Sequence, residues 1–525
     1  MKLIISNLQI PVEKDGIDAY IKSASQMLDL DGENISVFKI LSKSPDMKDE
    51  NQFYYKLTLA VEVPESYKNV KKLPEYEEPV MPDKKIRALN DRPIIIGFGP
   101  AGMFAALELI DHGIKPVIFE RGKNIEDRAL DVQSFMEKRE LNTESNIQFG
   151  EGGAGSFSDG KLFSRRNSNT SYVNRVLKTF IRFGAPEEIE YISKPHLGTD
   201  VLCRIVRNMR LYILENGGDI HYSSKMTDIL ISDSRAVGVV INNEKEYLSS
   251  NIFVALGHSA RDTFKMLYKK NVAMEQRPIS IGVRIEHSAE TINLMRYGKK
   301  YCRYDALGAA TYSINYTNRK NKRGVYTFCM CPGGEVVNAS SHEGMMVLNG
   351  MSYSHRSSPF SNAALAVTCR TDDYVANDPL AGIRFQVDIE KKAFEAGGGD
   401  WSVPAQSLMN FLGESSANDL SETSFRMGIA PFNLKEILPG FAVTELLAAF
   451  EKWKNEVPLF VSNEAILMAP ETRTSSPVRI LRNKQFVSEN IENLIPIGEG
   501  SGYTGGISSS AADAIKAVEA VILDE

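Results

Sequence analysis

The sequence predicts an α/β protein in which a Rossmann-like dinucleotide-binding domain carries an inserted β-rich domain and follows a small N-terminal βαββ domain. Three observations support this prediction. A glycine-rich turn joins an apolar segment to a helix, a second apolar segment ends on an acid, and two much later apolar segments also end in glycine. Apolar strands that alternate with helices in this way are typical of a parallel sheet.

The first observation concerns the start of this domain. Gly97, Gly99 and Gly102 form a Gly-x-Gly-x-x-Gly motif between an apolar strand and an amphipathic helix. Gly97 permits a tight turn, Gly99 lets the backbone approach a pyrophosphate, and Gly102 lets the helix pack against the strand. The helix begins at Pro100 and Ala101, where free N–H groups and a partial positive charge favour phosphates. A chance glycine turn is the alternative.

The second observation is Glu120, at the end of the next apolar segment. It stands 23 positions after Gly97, near the roughly 20 positions expected for a carboxylate that accepts both hydroxyls of an adenosine ribose. Because a carboxylate repels a 2′-phosphate, the site is expected to prefer FAD or NAD to NADP. The neighbouring Arg121 is a further cofactor-binding candidate. Arg128 is expected either to reach the pyrophosphate or to lie exposed on a helix.

The third observation is the pair of late apolar segments near 253–257 and 493–498, which return the chain to the first domain. A length of 525 residues also suggests two or three domains. Residues 1–80 are predicted to be the βαββ domain and a Pro-rich linker. Residues 90–262 and 486–525 form the discontinuous nucleotide-binding domain, and residues 263–485, with many strand-like runs and less helix, form the inserted substrate or cap domain. The patterns behind these boundaries are strands near 3–8, 35–41, 53–63, 253–257 and 493–498 and helices near 17–30, 199–215 and 507–522.

Composition excludes several classes of protein. A formal net charge of −6 gives no electrostatic reason to expect nucleic acid or an anionic membrane as a partner. No run of about 18 apolar residues predicts a membrane span, and the start resembles no signal peptide. Five scattered cysteines fit a reducing compartment, so a cytoplasmic protein is expected. The seven histidines show no metal-ligand spacing, so no metal site is expected.

Longer motifs resemble a known family. The segments at 146–161, 282–287, 328–334, 471–479 and 498–506 are similar to those of bacterial FAD-dependent, or NAD(FAD)-utilising, dehydrogenases, a family without an assigned substrate. The strand ending at 257 and the Gly498-Glu499-Gly500 turn resemble the glutathione-reductase-type FAD fold. The resemblance covers most of the chain and implies that the dinucleotide is FAD.

The resemblance also implies where FAD is held. Five glycines within residues 150–160 permit close backbone approach, although a merely flexible loop is the alternative. Lys161 is expected either near the flavin N5 or facing solvent. Glu499 is expected to bind the ribityl chain, unless it is an exposed loop carboxylate, and the helix after Gly506 to face the flavin N1/O2 edge. The remaining FAD-binding candidates are Gly152, Gly153, Gly155, Ser156, Met226, Gly257, Gly500 and Ile507.

Cys329 and Cys331 are candidates for catalysis. A regular strand would put both thiols on one face with Cα atoms about 6.6–6.8 Å apart, at the far edge of the range for a disulfide. We therefore favour a substrate-facing or buried thiol pair over a redox pair.

His258 follows a strand end that faces the cofactor in such sheets, and is a candidate general acid or base. Arg284 and Glu286 share one polar strand face, which borders either solvent or a cavity. We expect the substrate pocket at the boundary between the flavin domain and the inserted domain, lined by Arg284, Glu286, His258 and Arg473, with Arg284 and Arg473 as further candidates for catalysis. Arg473 and Glu471 are expected to anchor the flavin pyrimidine or a substrate carboxylate, or else to form a surface salt bridge.

The resulting functional hypothesis is an FAD-dependent oxidoreductase that transfers hydride between flavin N5 and a small molecule held by residues 263–485. A flavin-dependent monooxygenase and a flavoprotein without turnover are the alternatives, and the acidic balance disfavours a flavoprotein that acts on RNA. No second Gly-x-Gly-x-x-Gly follows a strand. The electron donor is therefore open, with NAD(P)H docking transiently or not at all.

Overall fold

The computed structural model describes residues 1–78, 86–162 and 170–523. The part of the predicted Pro-rich linker at residues 79–85, with Pro79 and Pro82, lies outside the described residues. Within the described chain the fold is mixed α/β, with 22 strands and 11 α-helices.

The strands are β1 (Lys2–Pro11), β2 (Ser36–Asp46), β3 (Tyr54–Glu62), β4 (Ile94–Ile96), β5 (Val117–Phe119), β6 (Asp219–His221), β7 (Met226–Ser232), β8 (Arg235–Ile241), β9 (Lys245–Leu248), β10 (Ile252–Val254), β11 (Met274–Gln276), β12 (Ile279–Ser288), β13 (Asn315–Thr317), β14 (Gly324–Cys331), β15 (Glu335–Asn338), β16 (Leu348–Met351), β17 (Phe360–Cys369), β18 (Val403–Ser407), β19 (Ile429–Pro431), β20 (Ile466–Glu471), β21 (Val478–Ile480) and β22 (Leu494–Pro496). The helices are α1 (Ile17–Leu28), α2 (Pro100–Asp111), α3 (Ile125–Lys138), α4 (Thr170–Arg182), α5 (Gly198–Glu215), α6 (Arg261–Lys269), α7 (Ala289–Tyr301), α8 (Ala381–Ala396), α9 (Leu408–Leu412), α10 (Gly440–Glu456) and α11 (Ile507–Ile522).

The N-terminal part forms an antiparallel sheet in the order β1-β3-β2, against which α1 packs. Leu57, Leu59 and Val61 alternate along β3 and are buried, as the two-residue period of a half-buried strand requires. Just before β3, Phe53 stacks on Tyr301 with ring centroids 4.3 Å apart. The structure thus has strands and a helix at each place predicted for the βαββ unit, and an aromatic contact joins this unit to the rest of the chain.

A five-stranded parallel sheet in the order β22-β10-β4-β5-β6 lies at the centre of the nucleotide-binding region. Its core strands are short and buried on both faces. Ile95 and Phe253 join the core formed with α2 and α11, whereas Ile94 and Val254 join the core formed with β7 and β8. Because the strands are parallel, the residues after β4, β10 and β22 meet at one edge of the sheet.

A second, seven-stranded sheet has the order β13-β14-β17-β12-β20-β18-β19. At its centre β12 and β17 pair antiparallel over all ten residues, from Ile279 opposite Cys369 to Ser288 opposite Phe360. Helix α10 packs on β13, β14 and β17, and α8 packs on β18 and β20. The buried residues of this sheet form much of the largest hydrophobic cluster. Residues of β12, β14 and β20 also form one wall of a cavity between this sheet and the parallel sheet.

Residues 263–485, where the sequence predicts many strand-like runs and less helix, contain the strands β11 to β21 and also the helices α7, α8, α9 and α10. In α10 the buried residues Ala442, Leu446, Ala449, Phe450 and Trp453 follow the three- and four-residue spacing of a helix face. The strand-like runs of this region are real, but strand propensity alone overlooks that period. The domain boundaries themselves stay predictions.

Candidate functional site

A cavity of about 1410 Å³ opens at the carboxyl ends of the parallel strands. One wall comes from the turns after β4 and β10 and the start of α11, and the opposite wall from β12, β14 and the segment after β20. A single ligand pocket usually spans roughly 300–1,000 Å³. The cavity therefore has room for a dinucleotide and a further small molecule.

The turn between β4 and α2 forms one end of the cavity. Gly97 has φ +95°, and a Cβ on it would lie 2.4 Å from the Ala255 carbonyl oxygen, so only glycine fits. A Cβ on Gly102 would lie 1.9 Å from the Gly97 carbonyl oxygen, which is the close helix–strand packing that the motif predicts. The cavity wall includes Gly97, Gly99, Pro100 and Ala101, and Gly102 lies behind it.

Glu120 is buried at this end, and backbone groups hold its carboxylate. Its Oε2 accepts a hydrogen bond from the Phe98 N–H at 2.8 Å, and its Oε1 accepts from the N–H groups of Gly122 and Gly150 at 2.8 and 3.0 Å. A carboxylate offers about four acceptor positions. One position therefore remains, on Oε2, for a hydroxyl in the cavity.

Two arginines follow Glu120 in the chain, and carbonyls or carboxylates hold both. Arg121 lines the cavity, pairs with Asp262 at 2.9 and 3.0 Å, and lies over the Phe149 ring. Arg128 is fully buried and does not line the cavity. The prediction that it reaches the pyrophosphate or lies exposed is corrected, because its guanidinium donates to the carbonyl oxygens of residues 146, 147, 150 and 151. It holds the glycine-rich loop in shape.

That loop crosses the cavity from one sheet to the other. Near its start Gly153 packs against Gly99, whose added Cβ would lie 3.4 Å from the Gly153 Cα. At its end the Lys161 ammonium pairs with Asp159 at 2.8 Å and donates to the Met330 carbonyl oxygen. The loop residues on the cavity wall include Gly153, Gly155 and Lys161, whereas Gly152 and Ser156 pack against each other behind it.

Met226, Gly257 and His258 line the middle of the cavity. Burial, with the charges of Arg473 and Arg261, lowers the pKa of His258 to about 3. The imidazole is therefore neutral at neutral pH. A pKa this low disfavours the imidazolium, so it favours neither of the two roles predicted for His258, general acid or general base, and leaves the ring as a neutral hydrogen-bonding group.

The turn after β22 completes this wall. Glu499 lines the cavity, and no hydrogen bond found among the described residues reaches its carboxylate. Burial raises the pKa of Glu499 to about 7, against the opposing charge of Arg277. Helix α11 then begins at Ile507 without a side-chain cap, so its first N–H groups are open to the cavity. Gly506 and Ile507 line the cavity, and Gly500 packs behind it against Gly257.

Strand β14 is irregular at its two cysteines, so the regular-strand geometry predicted for them is wrong. A bulge lies between Phe328 and Cys331, and Cys329 has φ +41°. Both cysteines line the cavity. Cys329 is exposed to it, whereas Cys331 is largely buried and its thiol lies 3.3 Å from the Cys329 carbonyl oxygen. Both are free thiols, and burial raises the pKa of each.

Arg284 lies behind this bulge, which corrects its predicted place on the cavity wall. It is fully buried and donates to Glu471 at 2.9 Å, to Asn362 at 2.7 and 3.0 Å and to the Cys329 carbonyl oxygen at 2.9 Å. These partners occupy its guanidinium, so Arg284 supports Glu471 and Cys329, which do line the cavity.

Glu286 also lies away from the cavity, where the Thr423 hydroxyl and the Ser424 N–H donate to its carboxylate. At Arg284 and Glu286 the polar face that the sequence predicts for β12 is therefore satisfied by protein groups and borders neither solvent nor the cavity, whereas Ser280, near the start of the strand, lines the cavity.

Arg473 lines the cavity but belongs to a buried network, not to a surface salt bridge. It forms a bidentate pair with Glu390 at 3.0 and 2.9 Å, and Arg261 pairs with the same carboxylate at 2.7 Å. Burial alone would raise the pKa of Glu390, but the two guanidinium groups outweigh it and hold that pKa well below its usual range. The network carries one positive charge more than negative.

Sequence reasoning missed three residues of these networks: Asp159, Arg356 and Glu390. Arg356 lines the cavity and pairs with Asp159, which is 197 positions away in the chain. No local spacing links two such residues. Asp159 stands within the segment 146–161, where the sequence analysis predicts roles for the glycines, Ser156 and Lys161 but not for Asp159. Across residues 1–78, 86–162 and 170–523, no cluster of side chains could hold a metal ion. Nor is any helix in those ranges long and apolar enough to cross a membrane.

Comparison with known proteins identifies the family. Residues 278–474 match a family described as FAD-dependent protein, C-terminal domain-like. A protein of Clostridium beijerinckii, described only as an uncharacterized protein, is 39% identical over 532 residues, which cover 99% of each chain. The chain belongs to one family with this Clostridium protein, and its residues 278–474 are a domain of the FAD-dependent kind. Its cofactor is FAD.

Solved flavoprotein structures resemble this FAD-dependent protein only distantly. A flavocytochrome c3 fumarate reductase is 10% identical with a TM-score of 0.33, covering 82% of this chain and 77% of its own. A flavin-dependent brominase is 14% identical with a TM-score of 0.35, covering 81% and 75%. Scores this low carry no argument about activity.

The residues of the cavity fit FAD. Glycines at 97 and 99 leave the turn open to a pyrophosphate, and Glu120 keeps one acceptor position for a ribose hydroxyl. Glu499 presents a carboxylate to the cavity, where a ribityl hydroxyl would satisfy it. The open N-terminus of α11 favours negative charge at the flavin.

Proposed function

We propose that this FAD-dependent protein is an oxidoreductase that moves hydride between flavin N5 and a carbon of a small-molecule substrate. The observation that carries the proposal is the continuation of the cavity beyond the cofactor-binding turns, onto the face of the seven-stranded sheet. FAD, when bound, supplies the hydride chemistry. The resemblance to NAD(FAD)-utilising dehydrogenases and to the glutathione-reductase-type fold supports the same reading.

In this proposal the protein binds and orients the substrate. Tyr326 and Ser280, joined by a hydrogen bond of 2.7 Å, form part of the substrate wall with Cys329. The neutral His258 offers a ring nitrogen for a hydrogen bond with the substrate, and the fixed Arg473 adds positive charge beside it. The electron donor is proposed to be NAD(P)H or another small reductant that docks transiently.

The proposal is tested by anaerobic mixing of the FAD-loaded protein with NADH, NADPH and panels of small alcohols, amines and acids. At least one of them is expected to bleach the flavin absorbance, and a second compound to restore it without oxygen. A product that carries isotope label from molecular oxygen would contradict hydride transfer to the substrate and favour a monooxygenase. A flavin that no compound reduces would favour a protein without turnover.

A further inference from the structure

A group of charged side chains lies where the glycine-rich loop reaches the seven-stranded sheet. The carboxylate of Asp159 is buried, and its Oδ2 pairs with Lys161 Nζ at 2.8 Å and with Arg356 Nη2 at 2.6 Å. Because both nitrogen atoms contact the same oxygen, they lie no more than about 5.4 Å apart, the sum of the two distances. One carboxylate or phosphate group is able to bridge such a pair.

The group carries one uncompensated positive charge. Two cations share Asp159, and no other carboxylate in the described part of the chain pairs with either of them. The neighbouring His196 adds no charge at neutral pH, because burial and the charge of Arg356 lower its pKa to about 4. A buried or half-buried excess charge is costly unless a counter-ion meets it.

Both cations also have access to the cavity. Lys161 and Arg356 line it, with 25% and 13% of their side chains exposed. Arg356 uses Nε and Nη2 on Asp159, and none of the hydrogen bonds among the described residues involves its Nη1. Guanidinium and ammonium groups donate charge-assisted hydrogen bonds to oxyanions. The Nη1 of Arg356 and the ammonium of Lys161 are therefore able to donate to the same oxyanion.

The position of the group separates it from the phosphates of FAD. The loop meets the β4–α2 turn at Gly153, against Gly99, and meets β14 eight residues later at Lys161, against Met330. The pyrophosphate is expected at the first contact, where glycines and the start of α2 receive it. The cation pair therefore lies at the other end of the loop, on the substrate wall.

We propose that Lys161 and Arg356 bind an oxyanion, a carboxylate or a phosphate, carried by the substrate. The proposal deepens the oxidoreductase function and rests on it, since the anion would anchor the molecule that exchanges hydride with the flavin. Asp159 acts as a positioning residue that holds the two cations together.

The test is a titration of the FAD-loaded protein with sodium acetate, inorganic phosphate or neutral acetamide at constant ionic strength, followed by the absorption of the bound flavin. We expect a saturable change with acetate or phosphate and none with acetamide. Saturation by acetate alone identifies a carboxylate, and saturation by phosphate alone identifies a phosphate. Lys161→Gln and Arg356→Gln are each expected to weaken binding by about tenfold or more, as for one lost charge-assisted hydrogen bond.

Lys454→Gln and Arg426→Gln serve as matched controls, because they remove one exposed cation each on other surfaces. The controls are expected to bind acetate or phosphate as the original protein does. Unchanged affinity in Lys161→Gln and in any folded Arg356→Gln protein would overturn the proposal. Loss of FAD from both variants would overturn it as well, by assigning the pair to the cofactor phosphates. Binding needs no turnover, so these outcomes are distinct from a failure of flavin reduction.

Discussion

The two ends of the cavity are built in different ways. At the β4–α2 end, most of the structure rests on backbone groups. Gly97 and Gly99 leave the turn open, and Glu120 accepts hydrogen bonds only from main-chain N–H groups. At the end formed by the seven-stranded sheet, side chains distant in the sequence pair with one another, as in Arg284–Glu471 and Arg473–Glu390. The difference teaches that the proposed cofactor end, at the β4–α2 turn, is set mainly by backbone groups, whereas the proposed substrate end, at the seven-stranded sheet, is set by side-chain pairs that are distant in the sequence.

The largest effect is expected at the backbone end, from Gly99→Val. A Cβ at residue 99 already lies 3.4 Å from the Gly153 Cα, and a branched side chain would occupy the path of the pyrophosphate. We expect FAD affinity to fall by at least about 100-fold, or roughly 2.7 kcal/mol. Equilibrium dialysis of the apoprotein with FAD measures it. Gly440→Ala, at a position with open space, is the control and should bind FAD normally.

Glu120→Ala should be the next largest change. It leaves the N–H groups of Phe98, Gly122 and Gly150 without their acceptor, and each buried unsatisfied group costs about 1–3 kcal/mol. The free energy of unfolding of the apoprotein in urea should therefore fall by several kcal/mol, whereas the exposed Glu489→Ala should change little. Equal stability of the two variants would contradict the backbone role of Glu120.

The next prediction concerns Glu499 and the way in which the free energy of unfolding depends on pH. Its folded-state pKa of about 7 lies above the ordinary value of 4.5, so the folded apoprotein binds a proton that the unfolded chain releases between these values. The contribution of Glu499 to stability is therefore favourable below about pH 5 and is lost as the pH rises through 7, by about 3 kcal/mol at most.

Glu499→Gln should remove this part of the pH dependence. Urea unfolding of both apoproteins from pH 5 to about 8 should show the variant gaining stability relative to the original protein as the pH rises. A constant difference between the two across that range would show that the Glu499 carboxyl titrates normally.

The smallest effect is expected from the double variant Cys329→Ser, Cys331→Ser. The bulge takes Cys329 and Cys331 out of regular strand geometry, and both thiols are free. Stopped-flow reduction and reoxidation of the flavin should therefore proceed with rates close to those of the original protein. If the variant keeps FAD but loses either half-reaction, the thiols form a redox pair and the substrate end has a second redox centre.

The sequence predicts much of the cofactor end because its signals are local. The spacing of Gly97, Gly99 and Gly102 and the acid at 120 indicate the turn, the helix and the strand end without any knowledge of the rest of the fold. Arg128 escaped this reasoning, since sequence spacing places it near the loop but does not say that four carbonyl groups consume its donors.

The substrate end was predictable only in outline. The pattern of β12 indicates a polar face but not its hydrogen-bond partners. Arg284 donates to Glu471 and Asn362, and Glu286 accepts from Thr423, and these partners come from other strands or loops. Likewise, the bulge that separates the cysteines arises from pairing with β17, which no property of the segment 325–331 reveals. Long-range pairing is what the sequence pattern leaves undetermined.

We propose that one cavity holds FAD at its backbone end and the substrate at its side-chain end. An experimental structure of the FAD-loaded protein tests it most directly. We predict the adenosine ribose within hydrogen-bond distance of Glu120, the pyrophosphate at Gly99, and one face of the isoalloxazine turned toward Cys329 and Lys161. An isoalloxazine out of contact with every residue of β12 and β14, or a ribose away from Glu120, would contradict it.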